Sequence, residues 1–180
     1  MIEVEEQQEL GRAKNAIQDY LIRQLLVPKV YLDAAWCGEH VDVLAVDRAG
    51  VGDVHAVRIA SSNLHFTPPQ PSHGATMVSS TSEFDLSLRS LKNIPSHFRY
   101  VAVLVPDSRS KDYYPASTLL QRTLAEDGVG RIGILFVDLG GSVPAIHAVV
   151  RPERYRSTPQ LVEIADQFVA ANQANWEVRE

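Results

Sequence analysis

The chain has 180 residues, 45% of them apolar and 22% charged, with a formal net charge of −5. That is enough length for one hydrophobic core and an acidic balance that argues against indiscriminate phosphate binding. No stretch reaches the roughly 20 apolar residues of a membrane span, and a single cysteine, Cys37, permits neither an internal disulfide nor a cysteine-rich zinc site. These features predict one domain over residues 1–180 in the cytoplasm, with no membrane partner.

Hydrophobic period and punctuation divide the chain. From Glu6 to Leu26, Leu10, Ala13, Ile17, Tyr20, Leu21 and Gln24 recur at helical spacing, and Pro28 marks the stop. Three strand-like runs follow, Val30 to Ala35, His40 to Asp47 and Asp53 to Ala60. Their connections are short enough to require antiparallel neighbours. Residues 61–79 carry Pro68, Pro69, Pro71 and Gly74 and read as a long exposed loop or flap.

Ser80-Thr81-Ser82-Glu83 has capping-box spacing, and Phe84, Leu88 and Leu91 form the stripe of a helix ended by Pro95. Arg99 to Val105 is a continuous apolar strand of the kind covered on both faces. A helix is predicted from Pro115 to Asp127, then strands from Arg131 to Leu139 and Val143 to Val150 around Gly140-Gly141. Thr158 and Pro159 announce a last helix with Leu161, Ile164, Ala165 and Phe168 inward. The order is αβββαβαββα, an α/β domain whose mixed sheet opens with a three-strand meander and is flanked by helices.

This order is not that of a Rossmann unit, which alternates strand and helix from its start. Gly128-Val-Gly130-Arg-Ile-Gly133 fits GxGxxG literally but enters a strand, so a helix stop and a strand start explain its glycines. The histidines at 40, 55, 65, 73, 97 and 147 form no helix-face zinc pair. Cys37 and His40 share a turn, and no recognised nucleophile motif surrounds them.

Two charges enter apolar strands: Asp42 in the second and Arg58 in the third. By strict alternation Asp42 shares a face with Leu44 and Val46, and Arg58 with Ala56 and Ala60. A buried charge requires a partner, so an Asp42–Arg58 ion pair across neighbouring strands is expected.

With Asp42 early in the second strand, in Asp42-Val-Leu-Ala-Val-Asp47, the αβββαβ opening resembles the PD-(D/E)XK, or restriction endonuclease-like, superfamily over about residues 5–105. Residues 106–180 would be an αββα extension. The resemblance implies a metal held by Asp42 and an acid of the third strand, a lysine two positions on, and an assisting acid of the first helix, which by helical phase is Glu6 with Glu9 beside it.

Where the family has Glu and Lys, this chain has Arg58 and Ala60. A guanidinium at the second ligand position opposes Mg²⁺ binding. The expected function is therefore a non-catalytic nuclease-like binding or assembly module, its partner unnamed, with no cofactor and no metal. The alternative is a Mg²⁺-dependent DNA or RNA endonuclease with a rearranged site, using Asp42 and acids of the following helix, where Glu83, Asp85, Arg89 and Lys92 stand. Arg151, Arg154 and Arg156 around Tyr155 form a weak candidate nucleic-acid contact, Glu153 interrupting them. A sheet-edge strand among the later ones would offer a route to a homo-oligomer.

Overall fold

The computed structural model describes residues 2–47, 52–60, 65–66, 78–79, 82–105, 132–156 and 158–173. Helix α1, Ile2–Arg23, buries Ala13, Ile17 and Leu21, one every fourth residue. It closes with a 3.0 Å bond from the Val27 N–H to the Leu21 carbonyl, and Leu26 takes a left-handed φ of 57°. The Leu25 N–H also reaches the Tyr20 carbonyl, at 3.3 Å, and a left-handed residue at such a helix end is usually glycine.

Strands β1 (Lys29–Trp36), β2 (Glu39–Val46) and β3 (Val54–Ala60) form the expected antiparallel meander. The first turn is Cys37-Gly38, both at positive φ, as a two-residue hairpin between twisted strands demands. Within 61–79 the structure describes a short antiparallel ladder, β4 (His65–Phe66) with β5 (Val78–Ser79), where the proline-rich sequence predicted only a loop. Phe66 and Val78, both strand-favouring residue types, lie in register there.

Helix α2, Ser82–Asn93, then crosses over to β6 (Phe98–Val105), which runs parallel to β3. Strand β7 (Gly133–Asp138) is parallel to β6, and β8 (Ala145–Val150) returns antiparallel before α3 (Pro159–Ala171). The sheet order is β1-β2-β3-β6-β7-β8, an α/β fold with three helices among the described residues. The helix predicted from Pro115 to Asp127, and most of the 61–79 loop, lie outside the described residues.

Each face of the sheet carries a core. On one, Ala13, Ile17 and Leu21 of α1 meet Val43, Ala45, Val57, Tyr100, Ala102 and Leu135. On the other, Leu91 of α2 and Leu161, Ala165 and Val169 of α3 meet Leu44, Ala56, Val101 and Val103. The inner line of α3 is thus Leu161, Ala165 and Val169, and Ile164, predicted to be inward, is exposed, because the four-residue row dominates the contact. Thr158 caps α3 as predicted, its hydroxyl accepting from the Leu161 N–H at 3.2 Å. Of the three glycines of the GxGxxG match only Gly133 is among the described residues, and its role is steric: a Cβ there would lie 2.7 Å from the Tyr100 ring.

Candidate functional site

Pairing between β2 and β3 runs from Val46↔Val54 to Val43↔Val57 and stops. Beyond that point side chains bridge the two strands. Arg58 Nη1 donates to the His40 carbonyl at 2.7 Å, and the Ile59 N–H donates to Asp42 Oδ2 at 2.8 Å. Arg58 Nε stands 3.6 Å from the same carboxylate oxygen, so the expected pair exists, as a charge contact longer than a hydrogen bond. Asp42 is buried and Arg58 three-quarters so.

Neighbouring β1 contributes two features that regular alternation hides. Val30 belongs to the α1-side core, whereas Ala34, at the same parity, belongs to the opposite core. The reversal falls at Asp33, whose φ is 52°. A matching reversal separates Val41 from Val43 on β2 and brackets Asp42.

Asp33 is consequently turned toward α1, where Lys14 Nζ meets its Oδ1 at 2.5 Å. His40 Nε2 lies between the carboxylates, 3.3 Å from Asp42 Oδ1 and 3.7 Å from Asp33 Oδ1. One potential ligand atom from each of Asp33, His40 and Asp42 falls within a 4.8 Å span.

The structure therefore brings together Asp42 and Arg58 from the sequence reading and adds Lys14, Asp33 and His40, which that reading did not place at the site. Glu6 is exposed and joins neither Asp42 nor Arg58; it lies on the α1 stripe two turns before Ala13, the first buried residue of that helix. Ala60 is 1% exposed, packed in the core beneath α2 and α3. A lysine there would enter apolar surroundings. Arg89 and Lys92 on α2 are exposed, and the side chains of Glu83 and Asp85 lie outside the described set.

Where the nuclease-like resemblance would put a metal-binding acid and a lysine, the chain has the guanidinium of Arg58 and the methyl group of Ala60, which do not fit Mg²⁺. Asp33, His40 and Asp42 together offer the mixed nitrogen and oxygen set that suits a transition ion better than Mg²⁺. Each carboxylate, however, already faces a cation of the chain itself.

Two other candidates disperse. Cys37 is exposed in the hairpin turn, and partial burial pushes its thiol pKa up, against a nucleophilic role with His40. Of the three arginines, Arg154 is committed to Asp53, with Nη2 2.6 Å and Nε 3.1 Å from Oδ1. Arg156 is exposed, and Arg151 lines a separate cleft with Tyr20, His55 and Tyr100.

That cleft, about 590 Å³, opens near the start of β3, away from the Asp42 end. His55 sits in its wall at 7% exposure, stacked against Phe98 at 4.7 Å and Tyr100 at 6.1 Å. Its Nδ1 is 3.4 Å from the Tyr100 hydroxyl, and burial lowers its pKa to about 4. Burial likewise raises the Tyr100 pKa.

His97 is fully buried nearby: its ring Nδ1 accepts from the Val54 N–H at 2.9 Å, its backbone N–H donates to the Val54 carbonyl, and its pKa is lowered chiefly by burial. The isolated histidines of the sequence gave no signal of either role, which depends on strand register.

No family model and no curated protein matches the chain. Among solved structures it is similar to a protein of unknown function from Silicibacter pomeroyi, at 14% sequence identity over 93% of this chain and 86% of that one, with a TM-score of 0.49.

Proposed function

We propose that the chain is a non-catalytic nuclease-like domain that acts as a binding or assembly module. The observation that carries this reading is charge pairing inside the site: Arg58 faces Asp42 and Lys14 faces Asp33, so two carboxylates are matched by two cations without a metal. The same groups have a structural task, because Asp42 and Arg58 bond the backbone where β2 and β3 part. Metal-assisted phosphodiester hydrolysis needs a cation of the solvent to polarise phosphate and activate water, and neither Arg58 nor Ala60 helps to hold one.

The test is cleavage of supercoiled plasmid, single-stranded DNA and RNA by the purified chain with Mg²⁺ or Mn²⁺. The expected result is no cleavage above a metal-free control. Cleavage that is lost in Asp42→Ala would overturn the reading.

A second reading, a metal-dependent endonuclease with a rearranged site, is favoured by one observation, the clustering of Asp33, His40 and Asp42. It requires metal-dependent cleavage that falls in His40→Ala as well as Asp42→Ala.

A further inference from the structure

His97 joins three segments that lie far apart in the chain. Its backbone N–H donates to the Val54 carbonyl at 2.9 Å, at the start of β3, and its own carbonyl accepts from the Tyr155 N–H at 2.8 Å, in the segment after β8. The ring closes the same junction, Nδ1 accepting the Val54 N–H at 2.9 Å. With Nδ1 as an acceptor, the proton of the neutral ring sits on Nε2, which is buried and has no hydrogen-bond partner among the described residues.

This arrangement tolerates only the neutral ring. A second proton would make both ring nitrogens donors, so Nδ1 would face the Val54 N–H as donor against donor and leave it without an acceptor. The charged and titratable groups that act on the ring are Asp53, immediately before β3, Arg154, after β8, and His55, on β3 and itself neutral. Of these Asp53 alone favours a charged ring, its Oδ1 standing 3.9 Å from Nδ1.

That carboxylate already has a cation, since Arg154 Nη2 lies 2.6 Å from the same oxygen. The Arg154 side chain is 40% exposed and loses little by returning to water, whereas an imidazolium in the interior requires an anion. A protonated His97 therefore wins the competition for Asp53. Arg154 and Tyr155 are neighbours in a stretch, 151–156, with neither helix nor strand, so the loss of the Arg154 pair and the shift of the His97 ring act on one segment. Asp53, Arg151 and Pro152 all line the cleft beside β3, which widens when that segment moves.

We propose that His97, Asp53 and Arg154 form an acid-operated latch: with His97 neutral, Arg154 holds Asp53 and segment 151–156 lies against the start of β3, and uptake of one proton by His97 transfers Asp53 to the imidazolium, releases Arg154 and loosens the segment. Burial holds the His97 pKa below its ordinary 6.5, so the latch is closed at neutral pH and opens as pH falls below that value. The proposal does not rest on the nuclease-like reading, and neither cleavage nor its absence bears on it.

The test is an NMR titration of the full chain from about pH 7.5 to about pH 4, reading the His97 ring, the Val54 and Tyr155 amides and the Arg154 Nε. The amide of Ala102, in the core at the middle of β6, reports the global fold. The Val54, Tyr155 and Arg154 signals should shift with the midpoint of the His97 ring while Ala102 stays in place. Arg154→Gln, which removes the competing cation, should raise that midpoint by about 0.5 in pH. His97→Asn, whose amide oxygen can stand in for Nδ1 and does not titrate, should abolish the response at Tyr155, and His55→Gln should leave it. Three results would overturn the latch: Val54 and Tyr155 responding only together with Ala102, Arg154 Nε staying fixed while the His97 ring titrates, or a midpoint unchanged or lowered in Arg154→Gln. Should His97→Asn fail to fold, the wild-type titration and Arg154→Gln decide.

Discussion

Asp42 takes the place of a backbone acceptor for Ile59, its Oδ2 receiving the Ile59 N–H at 2.8 Å just past the last β2–β3 pair. The carboxylate therefore does the work of a ladder carbonyl. Asp42→Ala should destabilise the fold by about 1–3 kcal/mol, the cost of a part-buried donor left without its charged acceptor. Asp42→Asn, which keeps an acceptor oxygen, should lose less than half as much. Urea unfolding at pH 7 measures both.

Lys14 and Arg58 compete with any ion for Asp33 and Asp42. In the double variant Lys14→Gln with Arg58→Gln, affinity for Zn²⁺ or Mn²⁺ should rise about tenfold or more, equivalent to roughly 1.4 kcal/mol of relieved like-charge repulsion. Adding His40→Ala should cancel the gain. Calorimetric titration of the three proteins decides it.

Burial keeps His55 neutral in the fold, with a pKa of about 4 against 6.5 for the ordinary side chain. Below pH 6.5 the unfolded chain takes up a proton at this position that the folded chain does not. Stability is therefore fully present above pH 6.5, falls as pH drops from 6.5 toward 4, and levels off below that; this histidine alone removes about 3 kcal/mol. His97, lowered in the same direction, adds to the loss. His55→Gln should flatten the slope of unfolding free energy against pH across that window, as urea titrations at several pH values would register.

Leu26 and Cys37 occupy left-handed backbone, with φ of 57° and 52°. Replacing each by the residue type that its motif favours, Leu26→Gly at the helix end and Cys37→Asn in the hairpin, should stabilise by about 0.5–1 kcal/mol apiece. The effects should add, since the two motifs are separate. Thermal unfolding of the single and double variants checks this.

The meander and the crossover were legible because their punctuation is local: Cys37-Gly38 permits only a hairpin, and the capped, apolar-striped α2 must span between β3 and β6. The Asp42–Arg58 contact was legible because each interrupts an apolar strand. Asp33, His40 and Lys14 were not, because strict alternation fails at Asp33, and a left-handed residue that is not glycine carries no mark in sequence. Glu6 shows the converse error: helical phase assigns a face without saying how far along the helix the sheet reaches. Ile164 and Val169 differ only in whether the three- or the four-residue row of α3 touches the sheet, and tertiary packing makes that choice.

The parallel joints at the middle of the sheet have a consequence during synthesis. β1, β2 and β3 can pair as soon as they are made, but β3 gains its second neighbour only when Phe98–Val105 follows, 38 positions separating Ala60 from Phe98. Until then the growing chain presents an apolar strand, Val-His-Ala-Val-Arg-Ile-Ala, with one edge unpaired. Arg58 is the only charged residue in that strand at neutral pH, since His55 is uncharged there, so the side chain that faces Asp42 in the finished fold also guards the nascent edge against pairing with another chain.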